Sequence, residues 1–156
     1  MKRRVAICTV LAVLAVSAAA IALPAIHDFN GEIKGDPSPG SAFAFNTGKK
    51  GDDKFVGNVQ ASGIDFECPE GSPGETPGVT LSKLFKVNHD GEWGGRAEAF
   101  IGDSDPPARV EGKIKPGGKA TGTFRMHGEL DPNGQPSVEC KTGLLEWKAE
   151  KGPDTR

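Results

Sequence analysis

A chain of 156 residues with 22 glycines and 12 prolines is long enough for one small hydrophobic core and too short for two. Its 19 basic and 21 acidic residues give a formal net charge of −2, and the lysines are interleaved with glycine, proline and aspartate. Because no continuous basic stripe follows from this pattern, we expect no binding to nucleic acid.

The N-terminus has the pattern of an export signal. Residues 1–4 read MKRR, and the run over 5–26 contains no charged residue. Small residues at the end of that run predict cleavage near Ala22 or Ala25, so we expect residues 1–25 to be a signal helix. The run also exceeds the roughly 18 residues that can span a bilayer, so an uncleaved anchor, and with it membrane contact, is the alternative. Both interpretations place the remaining chain in the cell envelope or outside the cell.

The segment after the signal shows no regular periodicity. Residues 26–41 read IHDFNGEIKGDPSPGS, in which glycine and proline interrupt any helix or strand pattern. We therefore expect a flexible tether over 26–41, a folded domain over 42–150 and a disordered tail over 151–156.

Within the predicted domain, apolar residues recur at every second position, which is typical of strands with one buried face. Turn sequences at 88–91, 116–118 and 131–134 divide the pattern into hairpins. We expect about eight strands and almost no helix, so the fold class is all-β, a small antiparallel β-sandwich or a partly closed β-barrel. The residues predicted to face inward include Phe43, Phe45, Phe55, Val59, Ala61, Phe85, Trp93, Val110, Phe124, Met126 and Trp147.

Two cysteines remain once Cys8 is assigned to the signal, and an even number in an exported chain predicts a disulfide. Cys68 shares the inward parity of Phe66, and Cys140 shares that of Val138. The predicted bridge therefore ties an early strand to a late one from inside the fold. A metal site at these cysteines is disfavoured, since there is no CxxC motif and no histidine at ligand spacing.

Three short motifs in the second half resemble a group of secreted bacterial all-β domains of unknown function. They are DGEW at 90–93, ATGTFR at 120–125 and CKTGLLEWKA at 140–149, which match a dG-x-F/W turn, an atGtfr strand and a C-x-tG-x-x-x-W-x-A ending. The paired cysteine lies upstream in that group, as Cys68 does in this chain. The resemblance covers roughly residues 55–149 and implies an exported domain without specifying its role.

The common catalytic and cofactor motifs are missing from the sequence. No serine lies at G-x-S-x-G spacing, and a triad using His27, His89 or His127 would require a coincidence of the fold. The GGK at 117–119 departs from the phosphate-loop pattern and is interpreted as a hairpin turn. We therefore expect neither enzymatic activity nor a cofactor.

The strongest metal candidate is the pair Asp103 and Asp105, whose spacing can place two carboxylates on one side of a loop around Ca²⁺. The glycine and the bidentate acid of an EF-hand are replaced by Ala108 and Ile114, which excludes that motif. The alternative interpretation is that these aspartates, which precede two prolines, only initiate a turn.

The mature chain keeps 16 basic and 21 acidic residues, a formal charge of −5. We predict a secreted or envelope-associated, non-catalytic binding or structural module whose partner is an extracellular protein or an envelope component. Two alternatives stay open: a small hydrolase whose acids converge only in the fold, and a protease inhibitor that uses the loop over 69–78. The candidate binding residues of that loop are Glu70, Ser72, Pro73, Glu75 and Pro77.

Overall fold

The computed structural model describes residues 25–35, 40–69, 78–130 and 137–153, and these residues form an all-β protein. Within those ranges no helix is long and apolar enough to cross a membrane. The predicted signal helix, up to residue 24, lies outside the described residues, as do the turn at 131–134 and the end of the predicted tail. The strands are β1 (Ala25–Lys34), β2 (Ala42–Lys50), β3 (Asp53–Ser62), β4 (Val79–Leu81), β5 (Phe85–Lys86), β6 (Glu92–Phe100), β7 (Pro107–Lys115), β8 (Lys119–Leu130), β9 (Val138–Lys141) and β10 (Leu145–Lys151).

Antiparallel pairing closes eight of these strands into a barrel. The order is β10-β1-β2-β3-β4-β6-β7-β8, and β8 pairs again with β10 to complete the circle. The strand β5 is added on β3, and β9 is added on the C-terminal part of β8. Of the two predicted architectures, the structure therefore shows the barrel, and the barrel is fully closed.

The first strand replaces the predicted tether. Ala25–Lys34 pairs with both β2 and β10, and Phe29 and Ile33 are buried in the core. The prediction of a flexible segment was wrong here because Gly31 was taken as a break in the pattern. Its α-carbon instead lies against the β10 backbone, where a side chain would collide with the carbonyl of Lys148. Within the described residues, the barrel therefore includes Ala25–Lys34 and does not begin at residue 42.

A β-bulge between β2 and β3 changes one predicted inward residue. The pairing shifts between Ala44 and Asn46, and Asn58 adopts a left-handed φ of 49° at this point. The extra residue reverses the alternation along the first half of β3. Val56 is therefore fully buried, while Phe55, which was predicted to point inward, is only half-buried.

Aromatic side chains fill the barrel interior. The indole of Trp147 stacks on Phe43 with ring centroids 4.4 Å apart, and it lies 5.7 Å from the Trp93 ring. Phe45 packs against both indoles. The two tryptophans are 1% and 5% exposed, so the prediction that they belong to the core is confirmed.

The predicted disulfide is confirmed. Cys68 and Cys140 are bonded, and the bridge joins the segment after β3 to β9 across 72 residues of sequence. Next to the bridge, Glu67 and Lys141 exchange two backbone hydrogen bonds of 2.9 and 3.0 Å. Cys140 is buried and Cys68 packs against the core, so the bond fastens the β9 side of the barrel from within.

Candidate functional site

Three arginines form a row across the outer face of the barrel. Arg96 on β6 pairs directly with Arg109 on β7, and Arg109 pairs directly with Arg125 on β8. All three are exposed, because Val110 and Phe124 take the inward positions that alternate with them. Since neighbouring strands lie about 4.8 Å apart, the row spans about 10 Å across the strands.

This row carries more positive charge than its surroundings neutralise. Arg109 is paired with Glu111 through a hydrogen bond of 2.9 Å from its Nε. Among the described residues, neither Arg96 nor Arg125 has an acidic partner within ion-pair distance. Like charges directly opposite one another on adjacent strands are destabilising. We therefore expect the row to lower the stability of the unliganded protein.

Another row on the same outer surface is charge-paired. Glu92 on β6 meets Lys113 on β7 at 3.2 Å, and further around the barrel Lys148 on β10 meets Glu32 on β1 at 2.7 Å. Hydrogen bonds from Lys113 and then from Asn88 hold the pKa of Glu92 below its ordinary value. A hydrogen bond from Lys148 likewise lowers the pKa of Glu32 and is matched by a raised pKa of Lys148. These pairs show the usual arrangement from which the arginine row departs.

The row lines a groove of about 540 Å³. The groove is also lined by His127, Lys141 and the exposed Leu144. We call these six residues, Arg96, Arg109, Arg125, His127, Lys141 and Leu144, the arginine groove.

Thr142 holds the β9–β10 connection beside the groove. Its amide donates to the carbonyl of Met126, and its Oγ1 accepts from the amide of Met126, both at 3.0 Å. Gly143 then turns the chain with a left-handed φ of 68°, a conformation that glycine adopts readily. Because Leu145 packs inward opposite Phe124, Leu144 is left facing solvent.

Two charged pairs lie beside the disulfide. His127 Nε2 lies 2.9 Å from Glu139 Oε1, and Lys141 Nζ lies 3.4 Å from Glu67 Oε2. They line a second groove of about 390 Å³ together with the bridged cysteines. The side chains of the histidine and Glu139 are both 66% exposed. Among the described residues that line it there is no hydroxyl or free thiol to serve as a protein nucleophile.

The predicted metal candidates lie in the β6–β7 hairpin. Ile101 and Ser104 exchange two backbone hydrogen bonds of 3.0 Å, so Gly102 and Asp103 form its tip and Asp105 follows it. Both aspartates are exposed. In the described part of the chain, no group of three or more histidine, cysteine or acidic side chains could hold a metal ion.

The candidate binding loop cannot be placed from the structure. Its residues, Glu70, Ser72, Pro73, Glu75 and Pro77, lie outside the described residues.

Sequence reasoning missed the arginine row, although a signal for it was present. The turn at 116–118 places Lys115 opposite Lys119, and counting back along both strands brings Arg109 opposite Arg125. Counting back from the turn at Gly102 and Asp103 likewise brings Arg96 opposite Arg109. Counting register from the β7–β8 turn would have found the pairing of Arg109 with Arg125, whereas the pairing of Arg96 with Arg109 also requires the position of the β6–β7 turn, which the structure supplies.

Neither a protein-family model, nor a curated protein, nor a solved structure matches the chain.

Proposed function

We propose that this protein is an exported, non-catalytic binding module that holds an anionic partner in the arginine groove. The observation that carries the proposal is the direct alignment of Arg96, Arg109 and Arg125, two of which have no acidic partner among the described residues. A bound anion would neutralise these guanidinium groups and remove their mutual repulsion.

The chemistry of arginine supports an anionic ligand. A guanidinium group offers a planar set of donors that matches carboxylate, sulfate and phosphate oxygens, and such charge-assisted bonds are stronger than neutral ones. The mature chain is acidic, with 16 basic and 21 acidic residues, so this local positive surface contrasts with the overall charge. Such a contrast directs an anion to one face of the protein.

Export is part of the proposal. It is supported by the basic start and apolar run at the N-terminus and by the Cys68–Cys140 disulfide, which is consistent with an oxidising compartment.

A hydrolase is a second candidate, favoured by the contact between His127 and Glu139. A carboxylate that orients a histidine is one element of general-base catalysis. The pair is well exposed, and its groove supplies no protein nucleophile among the described residues, so such an enzyme would have to activate water. If hydrolysis of ester or peptide substrates is observed, His127→Asn should abolish it.

The proposed function is tested on an anionic matrix. We expect the mature protein to be retained on immobilised polyglutamate at low salt and released as salt screens the charges. The double variant Arg96→Gln/Arg125→Gln should pass through the polyglutamate matrix without being retained.

The matched control is Lys115→Gln/Lys119→Gln, which removes the same charge at the opposite end of the β7–β8 hairpin and should still be retained. Equal retention of both double variants would contradict the proposal. Failure of the wild-type protein to bind polyglutamate, dextran sulfate and polyphosphate alike would also contradict it.

A further inference from the structure

We infer that the occupant of the arginine groove is an acidic peptide segment with an apolar side chain next to its carboxylates, and that this side chain packs on Leu144. The inference rests on the proposed function and names the class of partner. It follows from the combination of unneutralised arginines and an exposed leucine in one groove.

Leu144 is unusually exposed for a large apolar residue. It is 67% exposed, and in the described ranges only Leu84 and Phe100 are also exposed among large apolar side chains. Neither of those two lines the arginine groove, whereas Leu144 does. The exposed Pro107 also lines the groove, so an aliphatic surface lies beside the guanidinium groups.

The backbone on either side of Leu144 is held in place before any partner binds. Thr142 anchors the connection to β8 through two backbone-directed hydrogen bonds, and Leu145 is fixed inward against the core. The backbone on either side of Leu144 therefore has little freedom to lose on binding, which favours affinity.

The groove fits a peptide better than a nucleic acid or a polysaccharide. Bases and sugar rings are commonly bound by stacking on aromatic side chains. No aromatic ring other than the His127 imidazole lines this groove among the described residues, and the apolar contact that it offers is aliphatic. An aliphatic side chain of a peptide is the natural complement of Leu144.

The spacing of Arg96 and Arg125 also suits an extended peptide. Arg96 and Arg125 lie two strands apart, about 10 Å across the strands. Residues two to four positions apart in an extended chain are separated by roughly 7 to 14 Å, so two carboxylates of one peptide can reach both guanidinium groups.

Fluorescence anisotropy with two labelled peptides, GEELEEG and GEESEEG, tests the inference. The wild-type protein should bind the leucine peptide about tenfold more tightly than the serine peptide, since part of a leucine side chain becomes buried. Leu144→Ser should remove that preference. Leu84→Ser, which changes another exposed leucine outside the groove, should keep it.

The outcomes separate the inference from the proposed function. Equal affinity for the two peptides, or tighter binding of dextran sulfate or a single-stranded oligonucleotide than of either peptide, would overturn the inference. If whichever of these anions binds wild type no longer binds the Arg96→Gln/Arg125→Gln variant, the anion site of the proposed function is still supported. If none of these anionic probes binds, both the inference and the proposed function fail.

Discussion

Gly112 on β7 pairs directly with Trp93 on β6, and a β-carbon at Gly112 would lie 2.6 Å from two atoms of the Trp93 indole. The same β-carbon would lie 2.7 Å from the Trp147 ring. One rung of the barrel thus runs from Trp93 through Gly112 and Gly122 to Trp147. The two glycines make the space into which both indoles pack.

Replacement of Gly112 by alanine should therefore destabilise the barrel by about 2 kcal/mol, the usual cost of overpacking a filled core. Chemical denaturation followed by tryptophan fluorescence measures the change. The matched control is Gly57→Ala, where the close contact of the new methyl group is with the side-chain tip of the exposed Leu84, and Asn46 Oδ1 lies at an ordinary 3.6 Å. Similar losses for the two variants would contradict the packing account.

Loss of the disulfide should lower stability substantially. The bridge between Cys68 and Cys140 closes a loop of 72 residues, and the chain-entropy model gives a contribution on the order of 4 kcal/mol. Thermal unfolding of Cys68→Ala/Cys140→Ala should show a midpoint lower by roughly 10 °C or more. Reduction of the wild-type protein should give a similar shift, and an unchanged midpoint on reduction would count against the bridge as a stabilising element.

The ion pair between Glu32 and Lys148 should make stability depend on pH. The folded pKa of Glu32 is lowered from 4.5, so its stabilising effect is complete above that pH and is lost as the pH falls through the folded value. The folded pKa of Lys148 is raised from 10.5, so its effect is complete below that pH and is lost as the pH rises through the folded value.

The effect at acid pH is measured by comparing the melting temperatures of Glu32→Gln and the wild-type protein between pH 3 and pH 7. The variant should melt lower at pH 7, and the difference should shrink at the acid end. Glu146→Gln removes an exposed carboxylate of β10 that has no ion pair among the described residues, and it should show no such trend. A difference for Glu32→Gln that stays constant with pH would contradict the assignment.

The arginine row should lower the free energy of unfolding of the unliganded protein. Arg125→Gln removes one of two like charges that lie directly opposite each other on adjacent strands, and it should stabilise the unliganded protein by about 0.5 kcal/mol at low salt. High salt should abolish the gain because it screens exposed charges. If the variant is instead clearly less stable than wild type, the row has a structural role and the argument for a binding site weakens.

Much of the fold could be predicted from alternation alone, because each buried face repeats every two residues. The inward positions of Trp93, Trp147 and both mature cysteines followed from this pattern. The closure of the barrel could not be predicted from alternation. It depends on the pairing of β10 with β1 and with β8, and both of these strands are distant from β10 in sequence. Alternation also did not predict the bulge at Asn58, which reversed the expected burial of Phe55.

The candidate site could be predicted only in part for a similar reason. The outward parity of Arg109 was clear from the strand pattern, but a row requires the register of three strands. In the β6–β7 connection, the sequence GDSDPP does not show which two residues make the turn, and this choice decides whether Arg96 faces Arg109. The exposure of Leu144 depends on the turn at Gly143, which alternation does not reveal.

The most direct test of the central claim is a titration of the isotope-labelled mature protein with the peptide GEELEEG, followed by backbone amide chemical shifts in solution. Binding in the arginine groove predicts shifts concentrated at Arg96, Arg109, Arg125 and Leu144, with little change on the β1–β3 side of the barrel. Shifts that centre on β1–β3, or no shifts at millimolar peptide, would contradict the claim that this face of the barrel is the binding site.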